Sequence, residues 1–424
     1  MTPLRRTLGP PALTLYGLGT ILGAGIYSVL GVAAGRVGEG VWLSFVISAL
    51  VALITALSYA ELATTYPRAG AEYFYLRRSL PRWRWASFTA GMMMAASAAA
   101  TAGTVAIAFG GYLGAFLDTP EILGSTVLLV ILTAIAMREI RESTGVTALF
   151  TLIEAAGLVL VIAVGATAEG FGEALLAKPT VAVLGGASLV FFSFLGFENI
   201  ANLAEEAKNP GRNLPRAILL SLFLATALYV LVALALVALL SPAEAARSHA
   251  PLAAAVAAGA PRLAGVLGGV ALFATANTAL AALLAGSRIL YGISRGGDLP
   301  GPLRAVLPHR KTPWLATLVI FCVAAALLPL GSVEVVASMS SFASLVAFSG
   351  VNTALLVLRY RDPDAKRPFR VPFTVGRIAV LPLLGLVSNA VLIMQLERTA
   401  LIGGTVTLAV LASLYEAFGR QSGG

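Results

Sequence analysis

Two apolar stretches of this 424-residue chain carry residues that do not suit an uninterrupted helix in hydrocarbon. The first reads Gly17-Leu18-Gly19-Thr20-Ile21-Leu22-Gly23-Ala24-Gly25-Ile26, the second Phe191-Phe192-Ser193-Phe194-Leu195-Gly196-Phe197-Glu198-Asn199. Glycine costs about 1 kcal/mol relative to alanine inside a helix, so Gly19, Gly23 and Gly25 within seven residues favour a break. A break in lipid strands N–H and C=O groups, which is tolerated only where they line a cavity or meet a ligand. The half-helix that restarts offers free N–H donors and a positive dipole end, chemistry suited to a carboxylate. The competing reading is that these glycines let continuous helices pack closely.

Ionisable residues inside apolar segments are the second signal, because an acid near the bilayer midplane is costly and marks a functional hypothesis. Glu154, in Thr151-Leu152-Ile153-Glu154-Ala155-Ala156, has three readings: a reversible proton carrier, a partner for a cation, or a structural acid hydrogen-bonded to a neighbouring helix. Glu198 could contact a solute, respond to pH, or pair with backbone freed by the break. Glu61, Glu205 and Glu206 lie among basic residues, where ion pairing at an inner gate is expected; Arg288 either joins such a gate or snorkels to the interface. Thr275, Asn277 and Thr278, with carbonyls around Gly19 and Leu22, could form a sodium-like site or serve as interhelical hydrogen-bonding groups. Ser97 and Thr101 are polar positions that helical spacing alone does not orient. His249 and His309 fall in loops on opposite sides, and neither a paired-aspartate protease motif nor HExxH is present. Those absences argue against a membrane enzyme, and no cofactor or metal is expected.

The elements that must position these residues follow from composition. Hydrophobic residues are 58% of the chain and charged residues 12%, against about half and a quarter in soluble domains. Apolar windows long enough to span fall at about 12–35, 41–66, 85–117, 122–138, 144–167, 181–204, 214–240, 262–294, 313–330, 333–358, 377–396 and 399–418. The chain therefore reads as an all-α polytopic membrane protein with 12 transmembrane helices, the first of them uncleaved. The single cysteine, Cys322, excludes an intramolecular disulfide. The net charge of +9 does not point to nucleic acid, because the basic residues come in bursts between apolar runs. Of the 29 Lys and Arg, only Arg36, Lys178, Arg247, Arg262 and Arg398 fall on the second side of the membrane. That bias predicts cytoplasmic N- and C-termini. The two interrupted helices would be the first and sixth, each opening a five-helix block, as in inverted-repeat transporters.

An ordered set of motifs extends this reading. It comprises Gly23-Ala24-Gly25-Ile26-Tyr27, then Tyr59-Ala60-Glu61-Leu62 through Pro67 and Gly70, then Glu205-Glu206-Ala207-Lys208-Asn209-Pro210 with Arg212 and Pro215-Arg216-Ala217-Ile218. Further along come Ser287-Arg288, Tyr291, Arg295, Asp298-Leu299-Pro300 and Arg367-Pro368-Phe369-Arg370-Val371-Pro372. Over most of its length the chain resembles the amino acid–polyamine–organocation superfamily, close to bacterial permeases like the cationic amino-acid transporters. The resemblance implies a LeuT-type 5+5 inverted repeat plus two C-terminal helices: residues 1–168 the first repeat, 169–361 the second, and 362–424 helices 11 and 12 with the C-terminus. It also implies that the amides of Gly23, Ala24 and Gly25, with Ile21 and Ile26 beside them, hold a substrate carboxylate. Carbonyls near Phe191 and Phe194, with Ser193, Gly196 and Glu198 close by, would hold its ammonium group, and Phe192 would be the gate.

The resemblance further implies a secondary transporter of amino acids in the cell membrane, with small or medium neutral substrates favoured because segment 85–117 holds no acid. Cationic amino acids or polyamines are the alternative, through Glu198 or Glu154. Related proton-coupled transporters carry a lysine in the region of Glu154, so their lysine mechanism does not transfer to this chain. The expected coupling ion is H+, with Na+ as the alternative. The expected partners are the amino-acid substrate and membrane lipid; monomer and homodimer both stay open, as do a channel and a non-transporting sensor.

Overall fold

The structure, a computed structural model, describes residues 8–67, 71–138, 144–178, 180–204, 206–307 and 312–419. Arg5, Arg6, Arg68, Gly70, Arg141, Glu205, His309, Arg310, Lys311 and Arg420 lie outside the described residues. The chain is predominantly helical. It begins with α1 (Pro10–Leu22), α2 (Gly25–Val37), α3 (Val41–Thr65), α4 (Ala71–Ser79), α5 (Arg84–Leu117) and α6 (Glu121–Ala136). Next come α7 (Thr144–Gly165), α8 (Phe171–Ala174), α9 (Ala182–Val190), α10 (Pro210–Leu239), α11 (Pro242–Arg247) and α12 (Pro251–Gly259). The last are α13 (Ala264–Arg295), α14 (Trp314–Leu327), α15 (Val333–Arg361), α16 (Val380–Met394) and α17 (Arg398–Gly419). A two-strand antiparallel ribbon, Thr374–Val375 with Ile378–Ala379, fills the loop before α16.

Seven segments are long and apolar enough to cross a membrane by length and composition, and four shorter apolar helices accompany them. Each apolar window of the sequence is occupied by helix, and the protein is a polytopic helical membrane protein. The windows at 12–35 and 181–204 are not single helices. The first is split into α1 and α2. The second runs from α9 into a 3-10 turn at Phe191–Phe194, then through Leu195 and Gly196 into a 3-10 segment at Phe197–Leu203.

Helix α5, rich in Ala and Gly, is a central post that packs against α13, α15, α6, α14 and α4. Its small side chains allow the close approach from which packing energy comes in lipid. On the other side of the molecule, α1 packs on α10 and α7, while α3 packs on α10 and α9. The outward faces of α6, α10, α16 and α17 carry exposed Leu, Ile, Val and Phe, among them Val130, Phe223, Val387 and Val406. Bare apolar side chains on the rim around a buried interior are what lipid rather than water as solvent requires.

Candidate functional site

The first interruption is short. Helix α1 ends at Leu22, Gly23 turns the chain with ψ near −165°, and α2 starts again at Gly25. The first N–H groups of any helix lack intrahelical partners, so the amides of Gly25 and Ile26 form a donor end carrying the positive pole of α2. The Ala24 N–H is already used: it donates to Thr278 Oγ1 of α13 at 2.8 Å. Thr278 also sits directly against Gly23.

The second interruption lies beside the first. A side chain at Gly25 would put its Cβ 2.6 Å from the Ser193 Cα, so glycine is needed for the two backbones to touch. Gly196 has φ of 123°, a conformation that only glycine takes without strain. Its carbonyl accepts from Thr20 Oγ1 of α1 at 3.0 Å, and its N–H donates to Glu198 Oε2 at 2.8 Å. Tyr229 of α10 completes the junction. Its hydroxyl lies 2.5 Å from the Ile21 carbonyl oxygen and 3.0 Å from that of Ser193. Two carbonyls freed by the breaks, one on each chain segment, therefore meet the same phenol.

Around this junction stands an aromatic wall. The Phe194 ring packs edge-on against Tyr229 and is tilted against Phe45, while Phe191 and Phe197 meet Phe348 of α15. Phe192 is buried between them in sequence, and its carbonyl accepts from the Leu195 N–H at 3.2 Å. Ile21, Leu22, Ala24 and Ile26 are buried. The junction therefore sets a donor end, the start of α2, against the carbonyl-rich end of α9. Donors beside acceptors in an apolar shell are the kind of groups that a small dipolar solute would need.

Glu154 of α7 is fully buried. One carboxyl oxygen, Oε1, accepts from Asn277 Nδ2 at 3.0 Å, and the other has no hydrogen-bond partner among the described residues. Tyr27 Oη of α2 donates to the Glu154 backbone carbonyl at 3.2 Å. Neighbours on α13, Asn277 and Thr278, thus reach different targets, the acid on α7 and the first break. Thr275 is turned to its own helix and donates to the carbonyls of Ala271 and Leu272. Gly19 faces Thr151 of α7. Ser97 and Thr101 of α5 hydrogen-bond to Ser340 and Ser344 of α15.

At the basic end of the bundle, Glu61 is buried under two arginines. Arg359 Nε donates to Glu61 Oε1 at 3.0 Å, Arg359 Nη2 reaches Oε2, and Arg367 Nε lies 3.4 Å from Oε1. The Val371 N–H adds a bond of 2.7 Å. Asp298 is likewise buried and gathers Arg77, Arg84 and Tyr73. These clusters use the sequence motifs at Tyr59–Leu62, Asp298–Pro300 and Arg367–Pro372 to tie the loops after α13 and α15 to the bundle. Arg288 is exposed on α13.

Tyr229 and Glu72 are residues that the sequence did not single out, and Thr20 and Tyr59 stood there only within longer motifs, with no role of their own. Tyr59 Oη donates to Glu72 Oε1 at 2.6 Å. Glu72 lies in α4, outside the spanning helices, and burial holds its carboxyl above the usual carboxylate range, while the Tyr59 hydrogen bond pulls the other way.

The sequence profile of the family described as amino acid permease matches residues 8–411. The branched-chain amino acid permease BcaP of Bacillus subtilis is 29% identical over 99% of this chain and 94% of its own length. The methylthioribose transporter of Bacillus subtilis is 30% identical over 90% of this chain and 86% of its own. The vacuolar cationic amino acid transporter 4 of Arabidopsis thaliana is 33% identical over 85% of this chain and 64% of its own.

Proposed function

The chain belongs to the amino acid permease family, within the amino acid–polyamine–organocation superfamily, and on that premise we propose that it is a secondary active transporter moving amino acids across the cytoplasmic membrane by alternating access. The family is one of membrane permeases, transporters rather than enzymes. One observation carries the reading: the two interruptions touch, Gly25 against Ser193, with Tyr229 bonded to a carbonyl of each. A zwitterion has one charge for each end of that junction. Its carboxylate goes to the amides of Gly23, Gly25 and Ile26, with Ala24 joining once Thr278 moves away. Its ammonium group goes to carbonyls of the Phe191–Phe194 turn, and Phe192 closes the chamber.

In this reading α1 and α2 are one span, and so are α9 and the 3-10 segments that follow it. The frame then has twelve spans, a LeuT-type pair of inverted repeats over 1–168 and 169–361, and two further helices in 362–424. Both termini are cytoplasmic, as the Lys and Arg bias requires. Substrates are small or medium neutral amino acids, supported by the absence of acid in α5.

Coupling is to protons through Glu154. Its support is a buried carboxyl with one amide partner and one bare oxygen, a group that gains from taking up a proton when no cation is near. Sodium held by Gly19, Leu22, Thr275, Asn277 and Thr278 is the alternative, and the commitment of those side chains to protein partners weighs against it. A second substrate reading, cationic amino acids or polyamines, draws on the buried carboxyl of Glu198 beside the second break.

Purified protein in liposomes, given a panel of neutral and cationic amino acids under imposed pH or sodium gradients, tests all of this. The expected result is accumulation of neutral amino acids driven by inward protons. Folded protein that accumulates none of the panel under either gradient would refute the transport reading.

A further inference from the structure

Thr278 of α13 puts an oxygen on the donor end of the first break. Its Oγ1 accepts from the Ala24 N–H at 2.8 Å, and a Cβ built on Gly23 would collide with the same oxygen. The hydroxyl therefore lies flush against the break, where an oxygen of a bound carboxylate would have to lie to reach that amide. Helix α2 has no side-chain cap of its own at Ala24. A residue 254 positions away supplies the oxygen that a local Ser, Thr or Asp would ordinarily give. Gly23 and Ala24 are buried, and Thr278 is half-buried.

A threonine in a helix has two resting places for its hydroxyl, because Oγ1 can also bond a carbonyl one turn back. Thr275, one turn earlier on α13, takes that second place and donates to the carbonyls of Ala271 and Leu272 at 2.8 and 3.0 Å. Thr278 can do the same by rotating about one side-chain bond. The helix need not shift, and Asn277 Nδ2 holds this turn of α13 to Glu154 Oε1 of α7 at 3.0 Å. The exchange favours an incoming carboxylate, since a hydrogen bond to a charged oxygen is about twice as strong as one between neutral groups. In the empty site the hydroxyl keeps a buried N–H from standing bare, which would be unfavourable.

We propose that Thr278 is a resident competitor of the substrate carboxylate: its hydroxyl occupies the Ala24 amide in the empty site, yields it to the arriving solute and takes it back on release. The proposal rests on the transport reading above and adds a residue that sets how tightly the carboxylate is held. Its consequence runs against the usual loss of a site residue. Removing the hydroxyl should tighten binding, because the solute then gains the Ala24 bond without displacing another, and should slow release for the same reason.

The test uses alanine, leucine and arginine, whose carboxylates are alike and whose side chains differ, on the full chain. Binding is measured in detergent and uptake in liposomes, for the unmodified protein and for Thr278→Val, Thr278→Ala and Thr278→Ser, with the melting temperature of each as the check on folding. Thr278→Val keeps the shape of the side chain and removes its oxygen. It and Thr278→Ala are expected to bind whichever amino acid the unmodified protein binds about two- to tenfold more tightly, with KM and kcat of uptake falling together. Thr278→Ser, which restores a hydroxyl, should bring both back. Unchanged affinity in the Val and Ala variants overturns the proposal, and so does weakened affinity, which would make the hydroxyl a ligand of the substrate. Tighter binding in both variants without uptake by the unmodified protein keeps the competitor and sinks the transport reading. Gradient-driven uptake with unaltered affinity does the reverse. Folded protein that binds none of the three amino acids overturns both.

Discussion

The Tyr229 hydroxyl donates to the carbonyl oxygen of Ile21 at 2.5 Å. The same hydroxyl lies 3.0 Å from the Ser193 carbonyl oxygen, so one phenol on α10 holds together the ends of two interrupted helices. With a single proton to give, it can be shared between them or pass from one to the other as they move. Tyr229→Phe keeps the ring against Phe45 and Phe194 and removes the one proton that the two buried carbonyls share, at about 1–3 kcal/mol. The variant is expected to fold and to lose about tenfold or more in uptake rate, measured in liposomes beside its melting temperature in detergent. Uptake equal to that of the unmodified chain would show that the two breaks need no such tie.

Glu154→Gln separates proton coupling from structure. Glutamine keeps an oxygen for the Asn277 amide, which now donates to Glu154 Oε1, so packing between α7 and α13 is preserved. What it removes is a titratable proton. Accumulation driven by a pH gradient should therefore collapse, while substrate binding and exchange down a concentration gradient persist at rates within about tenfold. If the variant accumulates substrate with the usual pH dependence, Glu154 is not the proton carrier.

The parts of the site visible in the sequence are those written in backbone chemistry. Gly23, Gly25 and Gly196 announce interrupted helices because glycine is disfavoured within one, and the structure breaks the chain at these places. Glu154 and Glu198 stand out because acids are rare in apolar segments. Tyr229 does not, because a tyrosine inside Ala225–Val232 looks like any other aromatic in an apolar helix. Its role arises from contacts 36 and 208 residues away, which no local spacing encodes. Thr278 shows a subtler limit. Spacing places it near Asn277 as a candidate ion ligand, but only the fold shows its hydroxyl meeting the Ala24 N–H. The pairing of Glu61 with Arg359 spans 298 residues and is equally invisible to periodicity, although both lie near the basic end of the chain's helices.

That Glu61 pair is the sharpest stability test. Its carboxyl takes bonds from Arg359 and the Val371 amide, with Arg367 alongside, and the side chains are nearly dry. Removing one partner of a buried pair leaves the other charge uncompensated, at about 3–5 kcal/mol. Glu61→Ala should lower the melting temperature in detergent markedly, and more than Asp362→Ala. Asp362 also sits in an arginine pair, with Arg78, but there both side chains are a third or more exposed, where ion pairs contribute about 0–1 kcal/mol. Equal effects of the two substitutions would mean that Glu61 is not a clasp.

Glu72 supplies a pH dependence whose sign can be worked out. Burial raises its carboxyl above the ordinary value, against the opposing hydrogen bond from Tyr59. From the unfolded value, about 4.3, up to its raised native value, the folded protein holds more protons at this position than the unfolded chain. Stability should therefore fall as pH rises through that window, the reverse of a salt-bridged carboxylate. Glu72→Gln removes the titration while keeping an oxygen for the Tyr59 hydroxyl, so it should flatten this part of the curve and gain stability relative to the unmodified chain at the high end. The check is thermal unfolding in detergent at steps from about pH 4.5 to pH 8. Parallel curves for the two proteins would show that the Tyr59 hydrogen bond offsets burial in full.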